Sequence, residues 1–136
     1  MIIGYTAGAF DLFHIGHVNI LREAKNRCDK LIVGVSTDEL VSHKNIFVPF
    51  KERIEIVRSC RYADVVIAQY TLDKFDIWKN LKFNILFVGD DWKNSDSWNK
   101  YEQKLKLFSV DTIYLPYTGQ TSSTKLRQII NSKIGE

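Results

Sequence analysis

The chain has 136 residues, 45% of them hydrophobic and 26% charged, with a formal net charge of +3. That length suits one domain with a substantial buried core, and 12% aromatics with so small a charge imbalance excludes a disordered chain. No apolar run approaches the roughly 20 residues of a membrane helix, and the start Met1-Ile2-Ile3-Gly4-Tyr5 lacks the features of a secretory signal. Membrane insertion is therefore not expected. The nineteen basic residues are interleaved with sixteen acidic ones, and no Lys/Arg block or base-stacking aromatic cluster forms. Nucleic acid is not the expected partner. Cys28 and Cys60 stand far apart, form no CxxC pair, and are expected as buried free thiols in a reducing cytoplasm.

Taken in chain order, short apolar runs alternate with helical spacing. Residues 2–6 read as a first strand, and Val18, Leu21 and Ala24 mark a first helix. Residues 31–36 form a second strand, followed by a helix carrying Ile54, Val57 and Cys60. Residues 65–68 come next, then Phe75, Trp78 and Leu81 at helical spacing. Residues 85–88 precede a helix marked by Tyr101, Leu105 and Phe108. Residues 112–115 precede a last helix with Leu126, Ile129 and Ile130, for which Ser122 or Ser123 is the expected N-cap. The strand runs are too short for helices and nearly continuous in hydrophobicity, which suits strands covered on both faces. The pattern predicts a single Rossmann-like α/β domain over residues 1–136, with a five-stranded parallel sheet and helices on both faces. Ligands of such sheets sit beyond the carboxyl ends of the strands, where strand order reverses.

The most informative segment follows the first strand: Gly8-Ala9-Phe10-Asp11-Leu12-Phe13-His14-Ile15-Gly16-His17. Gly8 lets a ligand approach the backbone, and the following amides can face an anion. His14 and His17, three residues apart, put two imidazoles on one side of a helical turn, with Gly16 leaving room between them. Three readings fit this pair on chemistry alone. It is a phosphate clamp at a helix N-terminus, a metal pair with Asp11 as the nearest third ligand, or a packing feature.

The same segment resembles the GxFDxxHxGH signature of the HxGH nucleotidyltransferases, and within them the small cytidylyltransferases. Further motifs agree in order: Ser36-Thr37-Asp38-Glu39, Arg61-Tyr62-Ala63-Asp64, Gly89-Asp90-Asp91-Trp92 and Ser122-Ser123-Thr124-Lys125. The resemblance implies an enzyme that joins CTP to a small phosphorylated alcohol, glycerol 3-phosphate being favoured, and releases pyrophosphate. It implies His14, His17 and Lys44 as catalytic residues. Gly8, Ala9, Phe10, Gly16, Asp90, Asp91, Thr118, Ser123 and Thr124 would bind nucleotide, with Asp90 or Asp91 accepting from the cytosine amino group. Asp11 would contact a Mg²⁺ ion accompanying CTP. Arg53 and Arg61 would support the site or a homodimer contact within residues 49–61. The acceptor would meet walls around Lys44, Trp78 and Trp92.

Three positions depart from the family pattern. Ala9 replaces a threonine, Ile46 a second lysine, and Tyr117 an arginine that grips the nucleotide. Lys125 and Arg127 are the nearest basic residues able to compensate. An adenylyltransferase of the same superfamily and a catalytically silent nucleotide-binding module are the alternative readings.

Overall fold

The computed structural model describes residues 1–90, 93, 95–116 and 122–134. Five strands alternate with five helices: β1 (Ile3–Gly8), α1 (Ile15–Asn26), β2 (Lys30–Ser36), α2 (Phe50–Arg58) and β3 (Val65–Gln69) form the first half. The second half is α3 (Lys74–Leu81), β4 (Ile85–Gly89), α4 (Asp96–Lys106), β5 (Asp111–Leu115) and α5 (Ser123–Ile134). All five strands lie parallel in one sheet of order β3-β2-β1-β4-β5. The alternation read from the sequence is this fold.

Each face of the sheet has its own core. On one, Leu21 and Ala24 of α1 and Ile54 and Val57 of α2 pack against Leu31, Val33, Val35 and Phe87. On the other, Ile77 of α3 and Leu105 of α4 pack against Tyr5, Ile32, Leu86 and Val88. Alternate residues of one strand thus serve opposite cores, which is why these strands are apolar at nearly every position. Ser122 caps α5 through its side chain, accepting from the Lys125 amide at 3.0 Å.

Some details differ from the sequence reading. Cys60 and Phe108 fall just beyond the ends of α2 and α4, where the chain has already turned. Cys28 and Cys60 are free, as expected, but only half-buried. Trp78 packs between Phe75 and Phe108, away from the strand ends where a ligand would lie.

Strand order reverses at β1, since β2 and β3 build outward on one side and β4 and β5 on the other. The ladder from β1 to β4 covers only Gly4 with Ile85 and Tyr5 with Leu86, whereas β1 pairs with β2 as far as Gly8 and Val35. The two central strands therefore part toward their carboxyl ends, and a crevice opens at the switch point.

Candidate active site

The site begins where β1 stops. The chain leaves Gly8 through Phe10 and Leu12, both in the left-handed region at φ 54° and 51°. Non-glycine residues hold that conformation only when their surroundings fix it, and here two buried charges do so. Arg53 is 0% exposed. Its Nη1 donates to the Ala9 carbonyl at 2.7 Å and to the Ser36 carbonyl at 2.8 Å. Its Nε donates to Val48 O at 2.8 Å, and its Nη2 pairs with Asp38 Oδ1 at 2.7 Å. One rigid guanidinium thus ties the Ala9 turn, the end of β2 and the stretch before α2 together. Arg53 supports the site from behind; buried within its own chain, it cannot cross to a partner subunit.

Asp11 is the second tie. It is 1% exposed, and its carboxylate accepts from the Val48 amide at 2.9 Å and the Phe47 amide at 3.0 Å. Arg127 of α5 completes the set at 3.2 Å. These oxygens are already coordinated by donors, so the expected contact of Asp11 with Mg²⁺ does not fit. Instead the carboxylate anchors the loop that carries Lys44. No group of three or more His, Cys, Asp or Glu placed to hold a metal occurs among the described residues.

The two histidines are fixed by the first turn of α1. His14 is the N-cap of α1, and its Nδ1 accepts from the Gly16 amide at 3.0 Å. His17 Nδ1 in turn accepts from the His14 amide at 3.1 Å. Both rings therefore carry their proton on Nε2, a tautomer assigned from the partners of Nδ1. The rings lie 4.0 Å apart, and Phe13 stacks on His17 at 5.2 Å. Burial, with His14 and Arg127 nearby, pushes the His17 pKa down to about 3, and burial also lowers His14. Two neutral imidazoles result, each with its donor preset.

They do not stand equally close to the ligand space. A cavity of about 490 Å³ at the ends of β1 and β4 is lined by Gly8, Ala9, Phe10, His17, Lys44, Ser123, Thr124 and Arg127. His14 stands behind Ser123, its Nε2 3.2 Å from the serine Oγ, which donates to the Asp11 carbonyl at 2.7 Å. The Gly16 amide, expected to face nucleotide, is committed to His14. A Cβ on Gly8 would meet only the Phe10 ring, at an ordinary 3.5 Å. Packing does not demand glycine there, and its absent side chain leaves the backbone open to the cavity.

Asp90 is exposed beyond the end of β4 and does not line the cavity. Asp91, Trp92, Tyr117 and Thr118 lie outside the described residues. Arg61 lies on a separate exposed surface, donating to the Tyr62 hydroxyl at 2.7 Å. Two residues enter the site that the motifs did not single out. Lys74 and Trp98 line the cavity. Lys74 precedes Ile77 by three and Leu81 by seven, so its place on the buried face of α3 was a signal available in the sequence. Arg127 carries a buried Nε without a hydrogen-bond partner.

The fold sets this pair of helix-start histidines at the carboxyl ends of the strands, where α/β proteins bind their ligands. The chain matches the model of the Cytidylyltransferase-like family over residues 5–129, and it belongs to that family. It is 31% identical to a glycerol-3-phosphate cytidylyltransferase of Staphylococcus aureus, with 94% of each chain covered. It is 33% identical to the protein of that name from Bacillus subtilis, covering 92% of this chain and 94% of the relative. An FAD synthase of Thermococcus sibiricus is also 33% identical, over 92% of this chain and 87% of its own. Among solved structures, a lipopolysaccharide core biosynthesis protein from Thermoplasma volcanium shares the fold. Its TM-score is 0.73 at 22% identity, over 89% of this chain and 99% of that one.

Proposed function

We propose that the protein transfers CMP from CTP to the phosphate of a small phosphorylated alcohol, with glycerol 3-phosphate favoured, and releases pyrophosphate. One observation carries this reading: the neutral His17 imidazole, its Nδ1 occupied, has Nε2–H as its remaining donor in a cavity also lined by Lys44, Arg127 and the start of α5. In the reaction, an acceptor phosphate oxygen forms a bond to the α-phosphorus while the bond from that phosphorus to the bridging oxygen breaks. Pyrophosphate leaves with the electron pair. The ionised acceptor needs no base, so the protein's work is positioning and charge stabilisation. His17 does this as a fixed donor, and His14 acts by orienting Ser123. Ser123 and Thr124 offer a second helix N-terminus to the outer phosphates. The place of Arg127 on the cavity wall supports its standing in for the arginine replaced at Tyr117.

The chain offers no carboxylate at Asp11 to Mg²⁺, so an ion accompanying CTP would draw its ligands from phosphate oxygens and water. The exposed surface around Ile56, Arg61 and Tyr62 is the proposed homodimer contact. A monomeric mass by light scattering would remove it.

The FAD synthase relatives favour a second reading, adenylyl transfer from ATP. Pyrophosphate release separates the two when CTP and ATP are each supplied with Mg²⁺ and, in turn, glycerol 3-phosphate and FMN. CTP-specific release is expected. ATP-specific release selects adenylyl transfer, and CTP binding without release from any phosphate acceptor selects a silent nucleotide-binding module.

A further inference from the structure

Helix α3 has two unlike sides. Its inner side carries Lys74, only 6% exposed, whose Nζ donates to Gln69 Oε1 at 2.9 Å and lies 5.7 Å from the centre of the Trp98 ring. That oxygen also accepts from the Tyr5 hydroxyl at 2.8 Å, while the Gln69 amide donates to Ser36 Oγ at 3.1 Å. The outer side forms a surface with the end of α4. There Phe75 and Trp78 meet Phe108, with ring centres 4.8 to 5.6 Å apart. Lysine ammonium groups lie over these rings: Lys104 and Lys79 at 4.0 and 5.2 Å from Phe75, and Lys82 at 4.1 Å from Trp78. Their stems cover aromatic surface while their charges stay in water.

Beside the rings stands an apolar tip, with Leu107 82% exposed and Phe108 49%. The turn after α4 holds it out. Ser109 adopts φ 63°, and the Val110 amide donates to the Leu105 carbonyl at 3.1 Å. Leu105 and Val110 are thereby buried, and the residues between them are left outside. The charge around this tip is one-sided. Asp76 is paired with Lys79 at 3.3 Å and Asp111 with Lys106 at 3.4 Å, whereas Lys82 and Lys104 pair with no carboxylate among the described residues.

We infer that this surface docks on an anionic lipid bilayer, with Leu107 and Phe108 entering the headgroup boundary and Lys82 and Lys104 meeting anionic headgroups. A second copy of this chain, related by a two-fold axis, would bring the same lysines against these. Nucleic acid would need open ring faces, and those of Phe75 and Trp78 carry ammonium groups. A tip of two side chains is far smaller than the roughly 800 Å² per partner of a stable protein interface. A fluid bilayer needs no matching hollow, and its surface potential attracts each lysine. The attachment is interfacial; among the described residues no helix is long and apolar enough to span a membrane. The surface lies where α3 and α4 end and the chain turns back into β4 and β5, at the opposite end of the sheet from the crevice. Docking there leaves the crevice open to water, and it holds whether or not the transfer reading does.

Co-sedimentation of the whole protein with vesicles tests this without nucleotide. Vesicles of equal parts phosphatidylcholine and phosphatidylglycerol should bind about tenfold or more tighter than phosphatidylcholine alone, and added salt should weaken the binding. Lys82→Gln with Lys104→Gln should weaken it by about tenfold. Leu107→Ser, at an exposed position, should fold normally and weaken it by about tenfold as well. Lys51→Gln with Lys133→Gln removes the same charge from exposed lysines elsewhere and should leave binding unchanged. Pyrophosphate release should be the same in all of these variants. No binding to the mixed vesicles, equal binding to both kinds, indifference to the Lys82/Lys104 or Leu107 change, or an equal loss in the Lys51/Lys133 control overturns the inference. So does tighter binding of single-stranded RNA or polyglutamate than of the mixed vesicles.

Discussion

The two sides of the crevice are built from opposite materials. On the α1 side a neutral imidazole, backbone, the start of α5 and the guanidinium of Arg127, tied to Asp11, face the ligand. On the β3 side a buried ammonium rests on one neutral oxygen beneath aromatic walls. The first region supplies fixed donors to a group whose charge develops during reaction. The second holds Lys74, whose acceptor among the described residues is a neutral amide oxygen. Fixed donors favour rate, and the uncompensated charge favours capture.

That contrast is most directly broken at His17. His17→Ala should lower the rate of pyrophosphate release about 100- to 1000-fold, the usual cost of one transition-state donor, with little change in acceptor KM. A loss confined to KM would place His17 with the capture side instead.

Next in size is Arg53→Met, which strands the Ala9, Ser36 and Val48 carbonyls. Urea unfolding should show a loss of about 3 kcal/mol, because buried acceptors would be left unpaired. An unchanged midpoint would mean that the turn holds itself.

Asp11→Asn keeps the shape but removes the charge from the tie between the Lys44 loop and α5. Activity should fall about tenfold, while the Mg²⁺ concentration giving half-maximal rate stays the same. A shifted Mg²⁺ dependence would restore Asp11 as a metal contact.

The smallest effect is on pH. The His17 pKa is about 3 when folded, against the ordinary 6.5 when unfolded. Between these values the unfolded chain binds the extra proton, so this residue's contribution to stability falls as pH drops below 6.5. The slope is at most about 1.4 kcal/mol per pH unit. The His17 ring signals should not titrate between pH 8 and 5. Titration near 6.5 in the folded protein would mean that its pocket is wet.

The sequence made the α1 side legible and left the β3 side nearly invisible, for a physical reason. His14, Gly16 and His17 act on one another across two or three residues, so their spacing is itself the geometry. Lys74, Gln69, Ser36 and Tyr5 meet only because three adjacent strands and a helix bring them together. No local pattern records that meeting, beyond a lysine placed on a buried helical face. Asp11 marks the middle ground: its position in the motif was plain, yet its partners at Phe47, Val48 and Arg127 come from loops and helices far along the chain. The alternation of strands and helices was readable throughout, because double-sided burial writes itself into each short run.

The ties to α5 bear on when the protein becomes competent during its synthesis. Ser123 and Arg127 bond to a residue 112 and 116 positions earlier. Translation delivers the histidines and both lysines long before the helix that brings this serine and arginine. A ribosome-bound chain paused before residue 122 would expose both imidazoles with no roof over them and no second helix for the outer phosphates. α5 follows every other described element of the site in the chain, so the site closes only once that helix has emerged.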